Sequence, residues 1–188
     1  GVDQNITFAA IPDKDALSAN FALDANATSG LPVSFQSLNP SIATVDANGT
    51  VSILSTGVAT FRASQDGNQS FNPAPTVDQT LTITKVAQTI TFGSIPNQNL
   101  SAGTYTLVAT ASSNLGVAFA SGNSTMASIS GNTVTLKSGG TVVITASQGG
   151  DSTYNAAPSV TQNLTIIDDT LIAQTITWSQ ALSSLTYG

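Results

Sequence analysis

The 188-residue chain has no cysteine, no histidine and no glutamate, and only four lysines and arginines. Without cysteine, neither a disulfide framework nor a thiolate metal site can form. The basic residues Lys14, Arg62, Lys85 and Lys137 are scattered, so no track for phosphate exists, and neither nucleic acid nor an anionic membrane is an expected partner. No apolar run approaches the roughly 20 residues that a spanning helix needs, so no membrane insertion of this segment is expected. Charged residues make up only 7% of the chain, and the net charge of −6 comes from aspartate alone. Ser, Thr, Asn and Gln therefore supply most of a neutral, hydrogen-bonding surface. Gly1 opens almost directly into a strand-like pattern, as a slice of a longer protein would, so the lack of a leader carries no information.

What the chain does have is an internal repeat. Gly57–Thr84 lies on Gly140–Ile167 and keeps Ala63/Ala146, Ser64/Ser147, Gln65/Gln148, Gly67/Gly150, Asn72/Asn155, Ala74/Ala157, Pro75/Pro158, Val77/Val160 and Gln79/Gln162. The opening Gln4–Phe8 recurs as Gln88–Phe92 and again as Gln174–Trp178. There are thus three openings but only two bodies. Two units of about 85 residues are expected, each near the size of a small β-sandwich. Their bounds are 1–85 and 86–168, with 169–188 as a linker and the first strand of a truncated third repeat.

Within each unit the apolar period is two. Ile6 and Phe8 flank Thr7; Phe21, Leu23, Ala25 and Ala27 alternate with polar or small residues, and Tyr105, Leu107, Ala109 and Ala111 repeat them. This alternation predicts half-buried strands and no helix. Asn48-Gly49 predicts a tight hairpin, because both residues tolerate positive φ. Ala59, Phe61 and Ala63 point inward on the next strand, and Val77, Leu81 and Ile83 on the last. Gln79 and Gln162, like Gln4, Gln88 and Gln174, sit on an inward parity, where their amides are expected to close off backbone groups at the end of a sandwich. About seven short antiparallel strands per unit, broken by Gly, Pro and Asn turns, predict an all-β fold of tandem antiparallel β-sandwiches.

The runs Ser29–Phe35, Pro40–Val45, Gly57–Thr60, Ala63–Asn68 and Val77–Leu81 resemble the bacterial immunoglobulin-like repeats of large secreted surface proteins and adhesins. The resemblance covers both copies and the opening of a third. It departs at Asn114–Val117, which lacks the Gly-Leu-Pro of the first copy, and at Met126, where isoleucine is expected. It implies immunoglobulin-like sandwiches, an extracellular or bacterial cell-surface setting, a stalk or adhesive role, and no catalytic residues.

The chemistry on offer is sparse. Asp13 with Asp15, and Asp168 with Asp169, are the close acidic pairs. A paired-carboxylate hydrolase would need such groups, but neither pair recurs in the other copy, so no enzyme is expected. Calcium, a hard cation that takes several carboxylate and carbonyl oxygens, is the one metal considered, with Asp168 and Asp169 at the second junction as its candidates. The first junction carries Lys85 instead, so no repeated calcium clamp is expected, and no other cofactor. Lys14 and Lys85 are the lysines available to an isopeptide crosslink, but no inward Lys, acid and Asn set recurs. Phe71 and Tyr154 share one loop position and would be the ligand-facing aromatics if the module binds sugar.

The expected function is a non-enzymatic spacer that extends an adhesive region from a bacterial cell. Its partners would be neighbouring repeats of the same chain, with surface glycans or other cells beyond them. Alternatives are a carbohydrate- or partner-binding module of a secreted enzyme, and a repeat in a laterally assembled filament.

Overall fold

A computed structural model describes residues 1–170 together with 174, 176 and 177. Of the expected third opening, Gln174–Trp178, positions 175 and 178 lie outside the described residues. Nine short strands come first: β1 (Ile6–Phe8), β2 (Lys14–Asp15), β3 (Phe21–Ala22), β4 (Ala25–Ala27), β5 (Ser34–Ser37), β6 (Ala43–Val45), β7 (Thr50–Ile53), β8 (Gly57–Ser64) and β9 (Val77–Thr84). Nine more follow: β10 (Ile90–Phe92), β11 (Gln98–Asn99), β12 (Thr104–Thr106), β13 (Ala109–Ala111), β14 (Ala118–Ser121), β15 (Ala127–Ser130), β16 (Thr133–Leu136), β17 (Gly140–Ser147) and β18 (Val160–Ile167). A 3-10 turn at Leu100–Ala102 is the one helical element among the described residues.

Pairing orders the first nine as β1-β4, β3-β7-β6 and β2-β9-β8-β5, and the second nine as β10-β13, β12-β16-β15 and β11-β18-β17-β14. The second set thus repeats the first strand for strand. β3 and β4 are the two ends of one run, interrupted where Leu23 N donates to Gly49 O and Ala9 N donates to Asp24 O, both at 2.9 Å. β1 and β2 are likewise two ends of the opening run, with Ile11-Pro12 between them. Counted as runs, nine segments make the seven strands expected of an immunoglobulin-like sandwich, four in one layer and three plus a shared edge in the other.

The alternation seen in the sequence places the core. Ile6, Phe8, Ala27, Ala43 and Val51 from one layer pack in a single cluster with Ala59, Phe61, Ala63, Leu81 and Ile83 from the other. The Phe8 and Phe35 rings meet there, with centroids 5.6 Å apart. In the second set Ile90, Phe92, Leu107, Val134, Ile144, Leu164 and Ile166 are the corresponding buried residues. Full burial of each such side chain stabilises by roughly 1.5–3 kcal/mol.

Two local expectations are modified. β2 pairs in parallel with β9, Lys14 opposite Ile83 and Asp15 opposite Thr84, so the layers are not wholly antiparallel. The opening and closing strands of one copy lie side by side in the same direction, which no local pattern encodes. At the hairpin, only Gly49 takes a positive φ, of 80°, and Asn48 does not. The connection is a four-residue turn in which the Asp46 carboxylate accepts from Asn48 N at 2.9 Å and Thr50 N at 2.8 Å. The second copy, one residue shorter, has the two-residue loop Gly131-Asn132 with Gly131 at φ 60°.

Hydrogen bonding and close packing divide the chain differently. Every strand pairing stays within one set of nine. By packing, one compact unit holds Gly1–Phe92, Ala109–Ala118 and Ala146–Val160, and the other holds Gly93–Val108, Phe119–Thr145 and Thr161 onward.

Candidate functional site

The stretch that the two copies keep best folds into a buried amide knot. Gln4, only 2% exposed, donates from Nε2 to Gln65 Oε1 at 2.6 Å and to Asn72 O at 2.8 Å. Its own Oε1 accepts from Ser29 Oγ. Gln65 Oε1 also takes Gly67 N at 2.6 Å, and its backbone carbonyl takes Ala74 N at 2.9 Å. One side chain from the opening strand thereby fixes both ends of the loop between β8 and β9 and the turn after β4. Burying an amide without partners would cost roughly 1–3 kcal/mol. Among the described residues no buried side-chain polar atom lacks one.

The second copy repeats the knot. Gln88, 3% exposed, donates to Gln148 Oε1 at 2.7 Å and Asn155 O at 2.6 Å, and accepts from Ser113 Oγ. The expectation that inward glutamines close off backbone groups holds here, and Gln79 does the same by donating to Phe8 O at 2.9 Å. Ser29 and Ser113, together with the acceptor roles of Asn72 and Asn155, were not anticipated. The available signal was their preservation between the copies.

Phe71 and Tyr154 sit on this loop, each half-buried. Phe71 pairs with Val2 and Tyr154 with Val86, in parallel isolated bridges. The carbonyls of both residues press on a glycine, Gly67 at φ 74° and Gly150 at φ 75°, where an added Cβ would lie within 2.7 Å of Asn72 C and of Asn155 C respectively. These aromatics close their own loop. A shallow open depression lies elsewhere, lined by residues that include Ala109, Asn114, Leu115 and Val117, and no charged side chain borders it.

Asp168 and Asp169 are both exposed, and their carboxylates turn to different partners. Asp168 Oδ1 accepts from Thr170 N at 3.1 Å and Thr170 Oγ1 at 2.6 Å. Asp169 holds Ser101 through both its backbone N, at 2.9 Å, and its hydroxyl, and these donors keep the Asp169 carboxyl below the ordinary carboxylate range. Among the described residues no group of three or more His, Cys, Asp or Glu could hold a metal ion.

Several other charged groups contact the chain itself. Arg62 forks onto Asp78 with two 2.9 Å bonds across β8 and β9, lowering the Asp78 carboxyl chiefly through the hydrogen bond from the guanidinium. Thr145 and Thr161 occupy the equivalent pair in the second copy. Asp151 is lowered by the backbone N–H groups of Tyr154 and Thr153. Lys14 Nζ stands 5.0 Å from the Phe21 ring centroid, and Lys85 Nζ donates to Asp151 O. The Lys85 backbone carbonyl in turn accepts from Asn155 Nδ2 at 3.4 Å.

The fold is an immunoglobulin-like sandwich whose glutamine side chains turn to its own loops. Residues 24–67 match the family model of the intimin immunoglobulin-like domain. The resemblance of the sequence to bacterial immunoglobulin-like surface repeats therefore stands. No curated protein matches the chain in sequence.

Among solved structures, a mouse cadherin-23 fragment spanning EC22-24 is similar at 14% identity and a TM-score of 0.36, with 88% of this chain and 65% of that one covered. The S-layer protein rSbsC(31-844) is similar at 16% identity and a TM-score of 0.37, with 87% and 27% covered. This chain thus spans less than two thirds of either protein's length. No described helix is long and apolar enough to cross a membrane.

Proposed function

We propose that the chain is a pair of non-enzymatic immunoglobulin-like repeats, 1–85 and 86–168, that space an adhesive region from a bacterial cell as part of a larger surface protein. The intimin-type match over residues 24–67 carries this reading. It is supported by side chains that satisfy one another: among the described residues the glutamines, serines and asparagines preserved between the copies bond to the fold's own loops. Partners are then the adjoining repeats and, at the far end of the parent protein, an external surface.

The test is the size and location of the parent protein. An antibody against these repeats, used on source cells with and without external protease, should detect a very large band that is shaved from intact cells. A modest secreted band that travels with hydrolase activity would favour the accessory-module alternative.

A further inference from the structure

In each copy the opening segment is fastened at several points along its length. In the first, Val2 N donates to Ser70 O at 2.7 Å and Asn72 N donates to Val2 O at 2.9 Å. Asn72 Nδ2 holds Gly1 O at 3.0 Å and Asp3 Oδ1 at 2.7 Å, and Gln4 reaches Gln65 and Asn72 from the buried side. β1 then pairs with β4. Finally β2 lies parallel to β9, and Ala16 N donates to Thr84 O at 3.0 Å.

The second copy has Val86 N on Thr153 O at 2.8 Å and Asn155 N on Val86 O at 2.9 Å. Gln88 lies in its knot, and β11 runs parallel to β18.

Direction gives this stitching its consequence. If a repeat is loaded through its chain ends, the opening strand is drawn toward its N-terminus and the closing strand toward its C-terminus. Because β2 and β9 are parallel, those pulls run along the strands in opposite senses. Ladder bonds lie across strands, so such a load shears them together and does not unzip them one at a time. The Val2, Asn72 and Gln4 contacts lie nearest the pulled end, and meet the load first.

We infer that each copy contains a shear clamp, made of the amide knot on Gln4 or Gln88 and the parallel terminal pair, that resists extension of the chain by force. The inference deepens the spacer reading and rests on it, since only a spacer is loaded through its ends. A protein of this design bears load by slow unfolding and not by high equilibrium stability.

The experiment is single-molecule stretching of the full 188-residue chain between handles at its two termini. Two unfolding events are expected, each releasing no more than about 300 Å of chain. Asn72→Ala and Gln4→Ala should each raise the unfolding rate at fixed load about tenfold for one event only. Asn155→Ala should do so for the other.

Val51→Ala, in β7 away from the opening segment, is the control. It should lower stability to chemical denaturant while changing the rate under load by less than about twofold. Asn72 is exposed, so its variant decides the matter if Gln4→Ala does not fold. The clamp is overturned if Asn72→Ala leaves the rate under load unchanged, or if Val51→Ala raises it as much. Failure of the spacer reading appears separately, as a parent protein absent from the cell surface.

Discussion

Gln4 and Gln65 share a 2.6 Å hydrogen bond across 61 residues of chain. That contact joins the opening strand to the loop before the closing one, and Gln88 with Gln148 reproduces it at 2.7 Å. Replacing Gln4 by Ala removes the donor to Gln65 Oε1 and the Asn72 carbonyl and the acceptor of the Ser29 hydroxyl, all in a part-buried setting. A loss of roughly 1–3 kcal/mol is expected, measured as a lower denaturant midpoint with an unchanged slope. Gln4→Glu should fare no better at neutral pH, because a carboxylate cannot donate to the Asn72 carbonyl.

Gly67 and Gly150 allow the loop to close. Ala at either position combines a left-handed φ with a Cβ driven into backbone atoms. Each substitution should cost roughly 2–4 kcal/mol. Thermal melts of the two single variants check this, and wild-type stability for Gly67→Ala would show that the loop can open without consequence.

Asn114 holds φ 62° at the position where Gly30 holds 73°, and the flanking bonds are the same: Gly30 N to Ala27 O and Asn114 N to Ala111 O, both at 2.9 Å. Asparagine is the side chain that best tolerates this region. Asn114→Gly should therefore change stability by less than about 0.5 kcal/mol, while Asn114→Val costs roughly 1–2 kcal/mol. The order of the two in chemical denaturation is the readout.

Asp78 titrates below the ordinary carboxylate value because Arg62 donates to it. A depressed folded-state pKa contributes stability that is present above the unfolded value and lost as pH falls through the folded one. The wild type should thus lose stability on acidification below the unfolded carboxylate range, and Asp78→Asn should lose less over that window. Since the pair is exposed and screened, the difference should also shrink in high salt. Parallel acid titrations of both proteins followed by circular dichroism test this.

Phe71 and Tyr154 close the loop that the amide knot fixes. Phe71→Ala should lower stability by roughly 1–2 kcal/mol, as fits a half-buried ring. Titration calorimetry of the wild-type chain with common polysaccharides should give no binding heat. A saturable heat that is lost in Phe71→Ala or Tyr154→Ala would instead assign these rings to a glycan.

Most of the architecture was legible because strands bury one face. The two-residue period of Phe21 to Ala27 and of Ala59 to Ala63 identifies the inward side with no reference to distant residues. Copy-to-copy preservation likewise marked Gln65, Gly67 and Asn72 as a unit. The site was harder to read. Asp168 and Asp169 are adjacent in sequence, yet their carboxylates serve Thr170 and Ser101 respectively, and chain proximity says nothing about where two side chains turn.

The sequence alone determined the repeat, the all-β class, the inward faces and the absence of thiol or imidazole chemistry, since each follows from residue type and short-range spacing. Only the tertiary structure decided that β2 runs parallel to β9, that Ser29 completes the knot of Gln4, and that Phe71 pairs with Val2. These join residues some 25 to 70 positions apart. Their geometry depends on how two sandwich layers close over a shared core, and no local stretch of chain carries that information.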